Sequence, residues 1–366
     1  MLYLDNADVQ RVLEPRRMTD RLERTYRRFA QGGGVTPPRL DVQLPGPGPD
    51  QGYQLGLAVG ADAGTNDQRP YAALRVKSDR VERESGPRGL RKRKWAGQPG
   101  RYLGLVLLFD PRDGRLLCVM QDGWLQRMRV GCDSALGVRL LARPDAEILA
   151  ILGSGGMAES HVLAIRHERP LRQIRVFSPT PAHCADFATR MRNETGIETL
   201  ACASPEEAAR GADLLCSCTN SAEPVVDVSL LAKGMHITAI GGGLTNEAVA
   251  LVDYALRFGT ATAPLGFDDW KHDEESMVYS NAPTRLAFGG TAQFAHFTEG
   301  VERTLVECGS HTMRRDAEQI TFSQRGNIHG IQFAAAAGEV YEAALRAGAG
   351  MEWSKPADGF LQDIRN

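Results

Sequence analysis

The sequence lacks an excess of charge of either sign and lacks long apolar runs. Its 366 residues carry 43 Lys plus Arg and 45 Asp plus Glu, which give a formal net charge of −2 at pH 7. Nucleic-acid-binding surfaces are strongly basic, so this balance argues against nucleic acid as the main partner. No apolar stretch approaches the roughly 20 residues of a membrane-spanning helix, and the N-terminal residues do not have the pattern of a signal peptide. We therefore expect a cytoplasmic protein that binds neither nucleic acid nor membrane.

Cysteine is scarce and shows no ligand pattern. The seven cysteines are an odd number without the paired spacing of zinc ligands, so the sequence predicts no metal site. Cys216 and Cys218 are two residues apart in an apolar run and share one face of a predicted strand, where packing is more common than metal binding. Packing is also the favoured interpretation of Cys132, although it lies near a candidate site. The chemistry of the chain is therefore expected to come from other residue types.

A glycine-rich turn in the middle of the chain is the most informative motif. Residues 148–152 are an apolar run, and Gly153, Gly155 and Ala158 follow it in the spacing of a dinucleotide-binding βαβ unit. In such a unit the first glycine permits the tight turn, and the second lets a pyrophosphate approach the backbone at a helix N-terminus. The motif therefore predicts a site for NAD or NADP formed by Gly153, Ser154, Gly155, Gly156, Met157 and Ala158.

Three later segments extend this unit into a doubly wound parallel sheet. Residues 172–178, 212–219 and 235–240 are predicted strands, and each is followed by small polar residues or glycine. Ligands of open α/β sheets bind at these carboxyl ends of the strands. An acidic residue after the second strand would bind the ribose 2′-OH of NAD, and the uncharged residues found there slightly favour NADP. Further cofactor contacts are predicted at Ser178, Thr180, Thr219, Asn220, Ile240 and Gly241.

The two ends of the chain have a different pattern and are predicted to form a second domain. The alanine-rich residues 330–347 are expected to form a helix that covers a mixed sheet, and the basic residues 80–101 a solvated loop. We predict an α/β fold in which a Rossmann domain, residues 141–311, is inserted in a mixed α+β domain, residues 1–140 plus 312–366. Other predicted elements are a helix over 14–30 and strands over 71–76, 102–109 and 116–120, the last two joined by a hairpin.

Three parts of the sequence together resemble the ornithine cyclodeaminase/mu-crystallin family. They are residues 125–137, the Gly153 turn and residues 326–350. The family includes cyclodeaminases, alanine dehydrogenases, cyclic ketimine reductases and a thyroid-hormone-binding crystallin. The resemblance implies a substrate-binding and dimerisation domain around a Rossmann domain that binds NAD or NADP, and it implies a homodimer.

The same resemblance identifies candidate substrate contacts. Arg39, Lys77 and Arg129 match the family's cations that hold the carboxylate of an amino or imino acid, and Lys77 and Arg129 are the predicted catalytic residues. A planar guanidinium binds a carboxylate through two hydrogen bonds, and a lysine adds a point charge and a transferable proton. His329, near the start of the last helix, is a further predicted substrate contact.

Gly243 marks a departure from the family. It stands where cyclodeaminases and alanine dehydrogenases carry an aspartate that acts as a base. We predict that Gly243 lies at the substrate site, where it has no side chain that could act as this base. Glu247, Asp268, Asp269 and His272 are nearby acids and bases, and the sequence does not select one of them; a helix start is the favoured role for Glu247.

The sequence leaves three functions open. The favoured one is an NAD(P)-dependent oxidoreductase that acts on the C=N or CH–NH bond of an imino or amino acid, since reduction of a ketimine tolerates the missing aspartate. The alternatives are an ornithine or lysine cyclodeaminase that releases ammonia and recycles NAD, and a non-catalytic NADP-dependent binding protein of the mu-crystallin kind.

Overall fold

The computed structural model describes residues 1–48, 50–86, 89–221, 223–267, 269–270, 272, 274–281, 295–298, 300–305, 307, 314 and 316–353, with only the backbone of 85–86 and 89–92. The strands are β1 (Leu2–Leu4), β2 (Gly34–Val35), β3 (Arg39–Pro45), β4 (Gln51–Asp62), β5 (Tyr71–Gly86), β6 (Gly89–Trp95), β7 (Gly104–Phe109), β8 (Leu116–Gln121), β9 (Ile148–Leu152), β10 (Gln173–Phe177), β11 (Glu198–Ala201), β12 (Leu214–Cys218), β13 (His236–Gly241), β14 (Tyr254–Gly259), β15 (Ser276–Ser280), β16 (Glu302–Thr304), β17 (Thr321–Gly326) and β18 (Met351–Glu352). The helices are α1 (Asn6–Val12), α2 (Pro15–Ala30), α3 (Gly123–Leu141), α4 (Gly156–Ile165), α5 (Pro181–Thr195), α6 (Pro205–Ala209), α7 (Asn246–Val249) and α8 (His329–Ala347), with a 3-10 turn at Val228–Leu230. In the part of the chain that is described, no helix is both long and apolar enough to cross a membrane.

The strands form two sheets. The first has ten strands in the order β15-β3-β4-β5-β7-β8-β1-β18, with β2 beside β4 and β6 beside β5, and it mixes parallel and antiparallel pairs. The second has eight strands in the order β11-β10-β9-β12-β13-β17-β14-β16, and its pairs are parallel. The strand order reverses between β9 and β12, as in a doubly wound Rossmann sheet. The predicted α/β fold class is confirmed.

Helix α8 packs directly on the first sheet because two glycines permit a close approach. A Cβ added to Gly60 of β4 would lie 2.3 Å from the carbonyl carbon of Gly330, so neither position has room for a side chain. Buried residues alternate along β5, and Arg75, Lys77 and Asp79 share its buried face. The first turn of α8 therefore lies beside a charged part of the sheet interior.

Most predicted elements are confirmed, and one prediction is wrong. The helix predicted over 14–30 is α2, the helix predicted over 330–347 is α8, and the strands before and after the hairpin are β7 and β8. Within the basic segment 80–101, predicted as a solvated loop, residues 80–86 and 89–95 instead pair as the strands of the β5–β6 hairpin. The register sets Glu82 opposite Arg93 and Glu84 opposite Arg91, and it also sets two basic residues, Arg83 and Lys92, opposite each other. Opposite charges at facing positions stabilise an antiparallel pair.

The predicted domain boundaries remain a prediction, and two strands bear on them. β15 lies within the predicted Rossmann range but pairs in parallel with β3 of the first sheet. β17 lies within the range assigned to the other domain but pairs with β13 and β14 of the second sheet. The chain therefore passes from the second sheet to the first and back before it reaches α8.

Candidate functional site

The glycine turn after β9 has the shape that a dinucleotide needs. Gly153 has a φ of 116°, which favours glycine, and a Cβ there would lie 2.4 Å from the Cys218 carbonyl oxygen. Gly155, at the N-cap of α4, has an ordinary φ of −91°, and a Cβ there would meet nothing within 4 Å. The space in front of Gly155 is open at a helix N-terminus, so these residues fit a pyrophosphate.

Other predicted cofactor residues meet this turn at the same edge of the sheet. A Cβ on Gly241 would lie 2.1 Å from the carbonyl oxygen of Thr219, so the ends of β12 and β13 are in contact there. Ser178 follows β10, and Thr180 is the N-cap of α5. Ile240 lies in β13, and Asn220 is exposed after β12. The strand order of the sheet reverses beside these residues. The contacts of the individual residues with the cofactor stay predictions.

Two of the three predicted carboxylate-binding cations are already paired with carboxylates. Arg39 donates to Asp41 Oδ2 at 2.7 Å and to Glu275 Oε1 at 3.1 Å. Lys77 Nζ donates to Asp79 Oδ2 at 2.8 Å. Lys77 and Asp41 both lie against Gly56, where a Cβ would be 2.7 Å from Lys77 Cε and 3.0 Å from Asp41 Oδ1. Arg39 and Lys77 therefore belong to one buried charge network.

Arg129, the third cation, has no ion pair with any residue that the structure describes. Its guanidinium donates to Gln332 Oε1 and to Gln126 Oε1, the latter at 2.9 Å, and its buried Nε has no hydrogen-bond partner in the described part of the chain. Its Cζ lies 4.6 Å from the centre of the Phe333 ring. Burial and the nearby Arg325 lower the pKa of Arg129 to about 9. An incoming carboxylate would stabilise this desolvated cation.

His329 and Gln332, on the first turn of α8, extend the network. His329 Nε2 lies 2.9 Å from Glu275 Oε1 and 2.8 Å from Arg325 Nη2, and its buried Nδ1 has no partner among the residues that the structure describes. Gln332 donates to Asp133 and to the Arg129 carbonyl oxygen. Burial raises the pKa of Asp133, whereas Arg39 and His329 hold the pKa of Glu275 well below its usual range despite burial.

Sequence reasoning missed Glu275, Arg325 and Asp133. Asp133 carries a detectable signal, since it is the lone carboxylate of the mostly apolar helix α3. Glu275 and Arg325 are brought in by β15 and β17 from distant parts of the chain, and no local pattern marks them. Several buried polar atoms of this region have no partner among the described residues, namely Asp79 Oδ1, Asp122 Oδ1, Gln54 Oε1, Arg129 Nε and His329 Nδ1. Such atoms are usually satisfied, so a polar ligand fits here.

The remaining candidates have ordinary positions. Gly243 has no positive φ, and a Cβ on it would meet nothing within 4 Å. Glu247 lies in the first turn of α7, which confirms its favoured role as a helix-start residue. Cys132 is buried in the core, and burial raises the pKa of its thiol to about 12, which confirms packing. His272 stacks on Trp270, and Asp269 is a turn residue. Asp268 lies outside the described residues.

Comparison with known proteins identifies the family. The ornithine cyclodeaminase/mu-crystallin family model matches residues 90–260. The Delta(1)-pyrroline-2-carboxylate reductase of Paracoccus denitrificans is 35% identical over 229 residues, which are 62% of this chain and 69% of that protein. The chain belongs to the ornithine cyclodeaminase/mu-crystallin family. This confirms the resemblance seen in the sequence.

Other relatives match a shorter part. Ketimine reductase mu-crystallin of Mus musculus is 32% identical over 158 residues, which are 40% of this chain and 49% of that protein. The chain therefore spans about half the length of this curated relative.

Solved structures share the fold along nearly the whole chain. The Delta(1)-pyrroline-2-carboxylate reductase of Thermococcus litoralis, in complex with NADH and L-proline, has a TM-score of 0.70 at 22% identity and covers 96% of this chain and 100% of its own. An archaeal alanine dehydrogenase dimer with bound NAD has a TM-score of 0.71 at 22% identity, with 96% and 98% covered. At this identity the likeness establishes the fold.

Proposed function

We propose that this protein is an NAD- or NADP-dependent oxidoreductase that interconverts the C=N bond of an imino acid and the CH–NH bond of an amino acid. The observation that carries the proposal lies on α3, where Arg127 contacts the glycine turn and Arg129 enters the buried charge network. One helix thus joins a dinucleotide site to a carboxylate site. Relatives named ketimine reductase and Delta(1)-pyrroline-2-carboxylate reductase support this reaction class.

In this proposal the chain binds and orients the substrate. Arg129 binds the carboxylate through its planar guanidinium, and Arg39 and His329 provide further contacts. Lys77, held by Asp79, supplies positive charge and delivers a proton, directly or through a water that it orders. When bound, the nicotinamide supplies or accepts the hydride. Holding the reacting carbon beside the nicotinamide provides much of the rate enhancement.

We infer a slight preference for NADP over NAD. The support is the absence of an acidic side chain at Ser178 and Thr180, which leaves no carboxylate to repel a 2′-phosphate. Titration of the protein with NADPH and with NADH tests this preference. A lower dissociation constant for NADH than for NADPH would contradict it.

We also propose a homodimer that acts in the cytoplasm on a small amino or imino acid. Apolar residues lie exposed on the outer face of the first sheet, including Val42, Leu44, Val59 and Tyr279. Beside Val59 there is a shallow depression of about 190 Å³ lined by Val35, Pro37 and Phe109. A contiguous exposed apolar face of this kind marks a protein interface, and a second copy of the chain would cover it.

The deciding experiment measures the nicotinamide absorbance of NADPH and NADH mixed with purified protein and Delta(1)-pyrroline-2-carboxylate or its six-membered homologue. Oxidation of either nucleotide is the expected result. No turnover with any cyclic or linear ketimine would contradict the proposal. Ammonia release from ornithine or lysine without net NADH would instead indicate cyclodeamination, which the lack of a side chain at Gly243 disfavours. Tight binding without any turnover would indicate a binding protein.

A further inference from the structure

Arg127 lies across the first residue of the helix that follows the glycine turn. A Cβ added to Gly156 would be 2.4 Å from Arg127 Nη1 and 2.8 Å from its Cδ, so the arginine side chain rests on the Gly156 backbone. Gly156 begins α4, and the open position Gly155 precedes it. The glycine at 156 is what leaves room for this guanidinium beside the turn.

The Arg127 guanidinium is held in place without using its hydrogen-bond donors. It lies 4.9 Å from the centre of the Trp124 ring, and its Nη1 is 3.8 Å from Glu159 Oε2, beyond hydrogen-bond distance. Within the described parts of the chain it makes no hydrogen bond, and its side chain is 34% exposed. An arginine has five N–H donors in a fixed plane, so several remain available to a ligand.

The charges around the glycine turn both favour and oppose an anion, and the Arg127 cation adds to the favourable ones. Backbone N–H groups and the dipole at the N-terminus of α4 favour an anion. The carboxylate of Glu159, in the first turn of the same helix, repels a bound anion. Two arginines lie near this carboxylate, Arg127 at 3.8 Å and Arg190 at 3.6 Å. Arg127 lies against the turn, whereas Arg190 stacks on Phe187 of α5.

We propose that Arg127 is a pyrophosphate-binding residue of this chain, which adds a side-chain cation to the backbone donors of the glycine turn. The inference rests on the proposed dinucleotide site and deepens it. Arg127 and Arg129 are two residues apart on α3, so one turn of helix carries the contact to the cofactor phosphates and the contact to the substrate carboxylate. Changes in α3 should therefore affect both ligands.

The test includes ADP and adenosine, two ligands that differ only in their phosphates. Isothermal titration with NADPH, ADP and adenosine is performed on the wild-type protein and on Arg127→Gln, Arg127→Lys and Arg190→Gln. In Arg127→Gln we expect the dissociation constants of NADPH and ADP to rise about tenfold to hundredfold, with little change for adenosine. The salt dependence of ADP binding should become weaker, because one phosphate contact is lost. Arg127→Lys should recover part of the affinity, since it restores the charge without the planar fork.

Arg190→Gln is the matched control, because it also removes a cation near Glu159 and a contact with an aromatic ring. It should leave ADP binding near the wild-type value. Equal losses in the Arg127 and Arg190 variants would assign the effect to Glu159 and overturn the inference. Equal losses of affinity for ADP and for adenosine in Arg127→Gln would also overturn the inference, because they would indicate a general distortion of the site.

The outcomes separate the inference from the proposed function. If wild-type protein binds NADPH and Arg127→Gln binds it equally well, the inference fails and the oxidoreductase proposal stands. If wild-type protein binds none of NADPH, NADH and ADP, both fail. Thermal unfolding of each variant verifies that the comparison is made on folded protein.

Discussion

Arg129 combines complete burial with the absence of a carboxylate partner among the described residues. Its charge is desolvated, and its hydrogen bonds go to two amides. We expect Arg129→Met to raise the KM for a ketimine carboxylate about a hundredfold, since charge-assisted bonds to the substrate are lost. The free energy of unfolding should stay equal or increase, because an apolar side chain replaces a buried charge.

Steady-state kinetics and urea unfolding check this prediction together. Arg17→Met, at an exposed cation of α2, is the control and should change neither quantity appreciably. A less stable Arg129→Met variant with an unchanged KM would show that Arg129 serves the fold rather than the substrate.

The two glycines of the turn should respond differently to alanine. Gly155→Ala meets no protein atom, so we expect the free energy of unfolding to change by less than about 1 kcal/mol while the dissociation constant for NADPH rises tenfold or more. Gly153→Ala should lower the free energy of unfolding by about 2 kcal/mol, because its φ is positive and its Cβ would strike the Cys218 carbonyl oxygen.

Chemical denaturation and nucleotide titration on both variants test this contrast. Unchanged NADPH binding by Gly155→Ala would mean that the pyrophosphate does not approach this turn.

At the residue scale, prediction from the sequence was most successful where the functional residues are neighbours in the chain. The turn from Gly153 to Ala158 is a local motif whose spacing carries its meaning, so its geometry followed directly. Arg39, Lys77 and Arg129 came from family resemblance, and the structure places Arg39 and Lys77 in ion pairs that no motif announces. Those pairs depend on strand register and on side chains from distant segments, which a single sequence does not encode locally.

At the scale of elements, β15 has the largest effect on the site. It brings Glu275 within 3.1 Å of Arg39 and 2.9 Å of His329, although in the chain it lies between β14 and β16 of the second sheet. We expect Glu275→Gln to lower the free energy of unfolding by about 3 kcal/mol, because the largely buried Arg39 and Arg325 each lose one of their carboxylate partners.

The comparison for this prediction is Glu84→Gln, whose ion pair with Arg93 is exposed and 3.5 Å long. That substitution should lower the free energy of unfolding by less than about 1 kcal/mol. Urea unfolding curves of both variants give the measurement, and equal effects would mean that Glu275 contributes no more than a surface charge.

The β5–β6 hairpin shows why element prediction failed in one place. Its sequence has a high density of charge, which is typical of solvated loops. The register of the two strands sets Glu82 and Glu84 of β5 opposite basic residues of β6, a relation visible only after the register is known. In contrast, β9 and β12 of the second sheet are apolar runs followed by turns, so their pattern alone was sufficient.

At the scale of the whole molecule, the exposed outer face of the first sheet is the interface of the proposed homodimer. Val59→Asp places a charge on this face and should convert a dimer to a monomer, since burying an unpaired carboxylate is costly. Leu251→Asp, at an equally exposed leucine beyond α7, is the control and should leave the assembly unchanged. Size-exclusion chromatography with light scattering measures both masses, and a wild-type monomer would contradict the proposed homodimer.

The route of the chain between the two sheets has a consequence for how the molecule loses its structure. The chain crosses between them four times, after β8, β14, β15 and β17. Neither sheet is built from one continuous piece of chain, so neither keeps all of its strands when the other melts. We expect denaturation to be a single cooperative transition, in which fluorescence and circular dichroism change together, rather than a sequence of two independent steps.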